Sequence, residues 1–195
     1  MKPIQARALC EASDTGALVG EIGAGMGKTL ISALLYTVWD CKRGLLLVPA
    51  HLRQQTLDEW AKLQKHWRLL PLYDLDAGAV SGPHVRVLSY QSLSTVRFAS
   101  FLDEFQPDCV VADEAHFLAR TKSARGKRIF RYLKQARKTA VLYPGRPWVK
   151  FVPLSGTMRR KSIRECSYLY EAALWERSPF PTDYPDVEQW CYALD

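Results

Sequence analysis

The sequence lacks any apolar run approaching the roughly 18 to 20 residues that a membrane-spanning helix needs, and its opening Met1-Lys2-Pro3-Ile4-Gln5 lacks the apolar stretch of a secretion signal. Paired cysteines are missing too. The five present, Cys10, Cys41, Cys109, Cys166 and Cys191, are scattered and never form Cys-x-x-Cys, which argues against a disulfide framework or a zinc knuckle and for a reducing, intracellular compartment. The histidines His51, His66, His84 and His116 have no metal-ligand spacing. Internal repeats and low-complexity linkers are absent. The sharpest absence is local: residues 115–164 hold 15 Lys and Arg and no Asp or Glu. Residues 1–114 hold 11 basic and 13 acidic side chains and residues 165–195 hold 1 and 7, so the net charge of +7 comes from the middle block. Such a block attracts polyanions, and nucleic acid is the natural partner. Arg128, Arg131, Lys134 and Lys138, three or four apart, also fit the solvated face of a helix with Ile129, Leu133 and Ala136 inside. The lack of any carboxylate among them favours the nucleic-acid reading, because a face meant only for solubility mixes both signs.

What is present is the composition of a folded domain, 195 residues with 48% apolar and 11% aromatic side chains. Residues 5–12 read as a helix and 17–19 as a brief apolar run. A helix opens near Lys28 with Leu30, Ile31, Leu34, Leu35 and Val38 at helical spacing. Residues 45–48, 85–88, 109–112 and 151–154 are continuous apolar runs of the buried-strand type, and 51–65, 98–105, 123–138 and 162–175 are helical in period. Alternating strands and helices predict an α/β fold, a mainly parallel sheet flanked by helices, with ligands at the carboxyl ends of the strands. Pro144 to Pro147 reads as a turn carrying Arg146, and the Pro-rich piece 178–185 as the one boundary, with a short helix after it.

Gly25-Met26-Gly27-Lys28-Thr29 follows an apolar run and opens a helix, the setting of a phosphate-binding loop. Glycines let backbone N–H groups curl round phosphate oxygens, and the helix N-terminus adds partial positive charge. Lys28 can reach the outer phosphates, and the Thr29 hydroxyl can bind magnesium. The full pattern has Gly five positions before Gly27, where this chain has Ile22, with Gly23 one residue late. Asp113-Glu114-Ala115-His116 closes the run 109–112, about 85 residues after the loop. Phosphoryl transfer to water needs a metal near the outer phosphates, assignable to Thr29 and Asp113, and a group orienting the water, assignable to Glu114. A lone Asp-Glu pair reads better as an exposed acidic turn; joined to the loop, it reads as catalytic. The six tryptophans read as packing rather than base-stacking platforms.

Together these segments resemble the superfamily-2 helicases and translocases, and within them the SWI/SNF-type DNA-dependent ATPases, over nearly the whole chain. Lys2-Pro3-Ile4-Gln5 is similar to the family's Arg-Pro-x-Gln element, whose Gln reads adenine, and Gly25 to Thr29 to its Gly-Leu-Gly-Lys-Thr loop. Asp113 to His116 matches the DEAH box. Residues 47–52, with Pro49 and His51, resemble motif Ia, and 88–93, with Ser89 and Tyr90, the next block, both of which touch nucleic acid in the family. Leu154-Ser155-Gly156-Thr157-Met158 resembles motif III, which couples nucleotide state to nucleic-acid binding; Met158 stands where the SWI/SNF branch has Pro. By this resemblance His116, Ser155 and Thr157 belong to the coupling interface.

The resemblance implies a RecA-like lobe at 1–177 of P-loop NTPase type, then a Pro-rich boundary and the start of a connecting helix at 178–195. It implies ATP bound through Gln5, Gly25, Met26, Gly27, Lys28 and Thr29, with Mg2+ on Thr29 and Asp113. Catalysis would fall to Lys28, Asp113 and Glu114. Nucleic acid, DNA before RNA, would lie on Pro49, His51, Ser89 and Tyr90, to which the charge reading of the basic block adds Arg128, Arg131 and Lys134. The family's second RecA-like lobe, with motifs IV to VI and an arginine finger, has no counterpart in the sequence, and is expected from a longer chain or in trans. An arginine finger is worth roughly 10³ to 10⁵ in rate, so weak hydrolysis is expected of this lobe alone. The start of the chain almost at the adenine-reading element suits a bacterial or phage protein, and so a cytoplasmic location. A non-hydrolysing, nucleotide-gated binding module is the rival reading. A P-loop kinase explains the loop but not the other motifs.

Overall fold

A computed structural model describes residues 1–118, 122–145, 148–158, 162–181 and 183–194. Arg146 and Pro147 of the predicted turn, and Arg120, Arg159, Arg160 and Lys161 of the basic block, lie outside the described residues. The apolar runs form strands because side chains buried on both faces need helices above and below. Among the described residues six strands result: β1 (Gly20–Glu21), β2 (Arg43–Val48), β3 (Leu72–Asp74), β4 (His84–Ser89), β5 (Cys109–Asp113) and β6 (Lys150–Ser155). They make one sheet of order β1-β6-β5-β2-β4-β3, parallel at every junction.

Alternate side chains feed two cores, as the period of two in a strand requires. On one face, Leu46, Val48, Val85, Val87, Val111 and Val152 pack under α1 (Pro3–Thr15), α2 (Lys28–Val38) and α3 (Arg53–Leu63). On the other, Leu45, Leu47, Leu88, Val110, Ala112 and Phe151 pack under α4 (Tyr90–Ser94), α5 (Phe101–Phe105), α6 (Ala124–Leu142) and α7 (Ser167–Leu174). The register matters most for function. Leu154 pairs with Gly20 on one side and Asp113 on the other, so β1, β6 and β5 end level. The loop after each of these strands therefore opens onto one place.

Several elements differ from the sequence reading. The apolar run 17–19 precedes its strand, which is only Gly20–Glu21. The stretch 51–65 starts as a single 3₁₀ turn, Ala50–Leu52, before α3, and 98–105 and 162–175 are likewise split. In the latter, the Ser162 hydroxyl accepts from the Arg164 N–H and Cys166 leaves helical geometry at φ −125°, ψ −18°. β3 and α4 were not foreseen. The final helix α8 (Tyr184–Leu194) folds back, with Val187 and Cys191 against Ile163 and Glu188 paired with Arg164 at 3.1 Å. No helix among the described residues is long and apolar enough to cross a membrane.

Candidate nucleotide site

The segment after β1 turns on two glycines in the left-handed region, Gly25 at φ 72° and Gly27 at φ 80°. Gly27 caps α2, and a Cβ there would sit 2.0 Å from Gln5 Nε2. Gln5, buried at the start of α1, donates to the carbonyls of Met26 and Gly27, both at 3.2 Å. Its own Oε1 accepts from the Lys2 N–H at 2.7 Å, and Lys2 Nζ donates to Gly25 O at 2.8 Å. Three successive loop carbonyls are thus tied to the first turn of α1. Because C=O and N–H are antiparallel across a trans peptide, the amides of Gly27 and Lys28 are turned to the opposite side, at a helix N-terminus, where an anion is favoured. Ile22, at the position where the motif has glycine, buries its side chain in the core. Its carbonyl accepts from Lys28 Nζ at 3.3 Å.

Lys28 Nζ also lies 3.0 Å from Glu114 Oε1, joining the loop to the end of β5. Glu114 is itself held in the left-handed region, φ 53°, a conformation costly for a residue with a side chain. The peptide before it is pinned at both edges: Tyr90 Oη donates to Asp113 O at 2.7 Å, and the Glu114 N–H donates to Asp113 Oδ1 at 3.0 Å. The second oxygen of Glu114 meets Ser155 Oγ and His116 Nδ1, each at 3.3 Å, and those two groups are 3.1 Å apart. The Thr157 N–H donates to Ser155 Oγ at 3.2 Å while the Thr157 side chain faces solvent. Gly156 allows this turn to press on the phosphate loop, because a Cβ there would meet Gly23 Cα and Ile22 O at 3.3 Å.

Burial pushes the Asp113 carboxyl up to about 6, helped by the neighbouring Glu114 charge and, more weakly, by Glu59; Lys28 and the Glu114 N–H act against it. No group of three or more His, Cys, Asp or Glu among the described residues could cage a metal. Magnesium binds through one or two protein oxygens together with phosphate and water. The Thr29 hydroxyl and the Asp113 carboxylate are hard oxygen donors of the required kind. Thr29 donates to Glu59 Oε2 at 3.1 Å. Glu59 escaped the sequence reading because nothing in its polar helix distinguishes it from Asp58.

The predicted nucleic-acid residues divide. His51 is exposed and Pro49 buried at the mouth of α3. Pro49, Ser89 and Tyr90 require correction: all three are buried. Ser89 caps α4 by accepting from the Ser92 N–H, and Tyr90 stacks on Phe117 and holds the Asp113 carbonyl. Arg128 also differs from its expected role, because its guanidinium donates to the carbonyls of Leu93 and Thr95 at the end of α4. Arg131 makes an exposed pair with Asp103 at 3.6 Å, and Lys134 is exposed. A groove of about 1220 Å³ between α6 and α7, lined by Phe130, Leu133, Tyr168 and Trp175, contains none of the phosphate-loop residues.

A phosphate loop at the first strand, two acids at the third strand in from that edge and a Ser-Gly-Thr turn between them define a RecA-like P-loop lobe. The particular family follows from comparison: the model of the DEAD/DEAH box helicases matches residues 2–166, and the chain belongs to that family. No curated protein matches the sequence. Among solved structures the fold is similar to a hypothetical ATP-dependent RNA helicase from Sulfolobus tokodaii, at TM-score 0.59 and 14% identity over 88% of this chain. The chain spans 49% of that protein's length.

Proposed function

We propose that this chain is the ATP-binding motor lobe of a DNA helicase or translocase, hydrolysing ATP to move on or remodel nucleic acid together with a second RecA-like lobe, in trans or in a longer chain. The lobe proper is 1–177, and 178–195 is its Pro-rich boundary and a helix that packs back on Ile163 and Arg164. The observation that carries the reading is the 3.0 Å contact of Lys28 with Glu114, which brings a phosphate-binding cation and a water-orienting carboxylate from opposite sides of β6 into one site. ATP competes for Lys28, because its outer phosphates are the stronger anion; Glu114 is then left with Ser155 and His116 and an oxygen free to accept a proton from water. Magnesium, held by Thr29 and Asp113, would neutralise charge on the phosphates. The buried Ser155 ties Glu114 to the turn carrying Thr157, a direct route by which the loop after β6 senses the catalytic acid. DNA as the track is what the SWI/SNF-like motif set supports, and nucleic acid is assigned to the edge bearing the exposed His51, with Arg131 and Lys134 on α6 as accessory cations.

The test is equilibrium ATP binding beside magnesium-dependent turnover, with and without DNA or RNA. Lys28→Ala should abolish binding, and Glu114→Gln should keep binding and lose turnover, because the first removes a phosphate contact and the second only the water-orienting group. Normal ATP binding by Lys28→Ala would overturn the assignment. Greater stimulation by RNA than by DNA would replace the track.

A further inference from the structure

The Thr29 hydroxyl carries one proton, and that proton points to Oε2 of Glu59, 3.1 Å away on α3. The other Glu59 oxygen accepts from Gln55 Nε2 at 2.8 Å, one turn earlier on the same helix, so the carboxylate is held at both ends. A hydroxyl that ligates a hard cation must turn its proton away from the ion and offer a lone pair. A carboxylate that accepts the proton fixes the rotor and strengthens the oxygen as a ligand, the part played by outer partners at many metal sites. In other arrangements the acid at the end of β5 could take that proton. Here Asp113 Oδ1 accepts from the Glu114 N–H, and the Thr29 hydroxyl donates to Glu59 on a different element.

We propose that Glu59 is a positioning residue for magnesium, acting through Thr29: it orients the hydroxyl so that a lone pair faces the cation. The assignment rests on the nucleotide-site reading above and extends the metal site to α3. That helix continues directly from Ala50–Leu52, whose Ala50 N–H is tied to Gln91 Oε1 at 3.1 Å. The edge assigned to nucleic acid and the metal ligand Thr29 are therefore linked by one helix.

The experiment is equilibrium ATP binding to the full chain with magnesium titrated, and again in chelator. Glu59→Ala should raise the magnesium concentration at half effect about tenfold and leave ATP affinity in chelator unchanged. Glu59→Gln keeps an amide oxygen that accepts the Thr29 proton and should stay within about threefold of wild type. Adding Glu59→Ala to Thr29→Ala should change nothing further, because the group it positions is gone. An unchanged magnesium requirement in Glu59→Ala, equal losses in the Ala and Gln variants, or a parallel loss of affinity in chelator would each overturn the positioning role and leave the nucleotide site standing. Wild-type binding that ignores magnesium would overturn the metal assignment and this one together.

Discussion

The carboxyl edge of the sheet and the basic helix α6 are the two conspicuous features of the sequence, and they differ in how their residues are used. At the edge, Gln5, Gly27, Lys28, Glu114 and Ser155 come from three strand ends and a helix start, and each touches another of the set. On α6, Arg128 is spent on the carbonyls of Leu93 and Thr95 and Arg125 on Phe117 O. A glycine at φ 80° over a buried glutamine has few uses other than shaping a loop. A guanidinium is satisfied by any carbonyl within reach, and the one at Arg128 meets the end of a helix, where cations are favoured. Backbone-dictated chemistry is thus more specific evidence of a site than a count of charges.

The largest effect expected is at the edge. Gly27→Ala puts a methyl against Gln5 and forces a left-handed alanine, so the loop must leave Gln5 or change shape. ATP affinity should fall by at least about tenfold, with a stability loss of roughly 1–2 kcal/mol from the strained φ. Equilibrium binding and denaturant unfolding measure the two; retained affinity would show that Gln5 does not set the loop.

Next is Arg128→Ala. Removing two charge-assisted hydrogen bonds from a half-buried site should cost about 1–2 kcal/mol in urea unfolding, while nucleic-acid affinity stays within about twofold. A large loss of nucleic-acid affinity with unchanged stability would put Arg128 back on the binding surface and erase the contrast with the phosphate edge.

The fold was legible wherever a segment was long and apolar. Runs such as 45–48 and 109–112 are buried on both faces and had no alternative but to be central strands. β3 was missed because Leu72–Asp74 is short and only half-buried, so its pairing with β4 rather than its own pattern makes it a strand. α4 was missed because residues 88–93 resemble a binding block, and burial of Tyr90 turns that block inward. In the candidate site, the placement of the Gly25–Thr29 loop and of both acids after strands could be read from the apolar runs that precede them. Glu59 could not, since its role depends on how α3 packs against α2, a tertiary fact without a local signature.

Asp113 offers an intermediate effect with a definite sign. Its carboxyl is raised to about 6 in the fold, above the ~3.9 of an unfolded chain. Stability from this group is therefore fully present below about pH 4 and lost as pH rises through 6. Asp113→Asn, whose amide oxygen still accepts the Glu114 N–H, should stabilise the chain at pH 8 by about 1–2 kcal/mol, or roughly 2–8 °C in Tm, and make no difference near pH 4. A shift of equal size at both pH values would assign the gain to packing. If Asp113 holds magnesium as proposed, the cation needs the ionised carboxylate, and its effect on ATP binding should weaken as pH falls toward 6.

The smallest effect sharpens the comparison from the other side. Arg131 pairs with Asp103 across an exposed 3.6 Å gap, and such pairs contribute about 0–1 kcal/mol; Lys134 is exposed on the same helix. Arg131→Ala and Lys134→Ala should each change stability by less than about 0.5 kcal/mol. If these side chains meet phosphate, each substitution should lower the slope of log affinity against log salt by about 1, roughly equally for all sequences. An unchanged slope in both variants would leave α6 a solvated face and confine nucleic acid to the strand-end edge. Loss of slope in Lys134→Ala alone would mean that Asp103 holds Arg131 back from the partner, a case that Asp103→Asn would reverse.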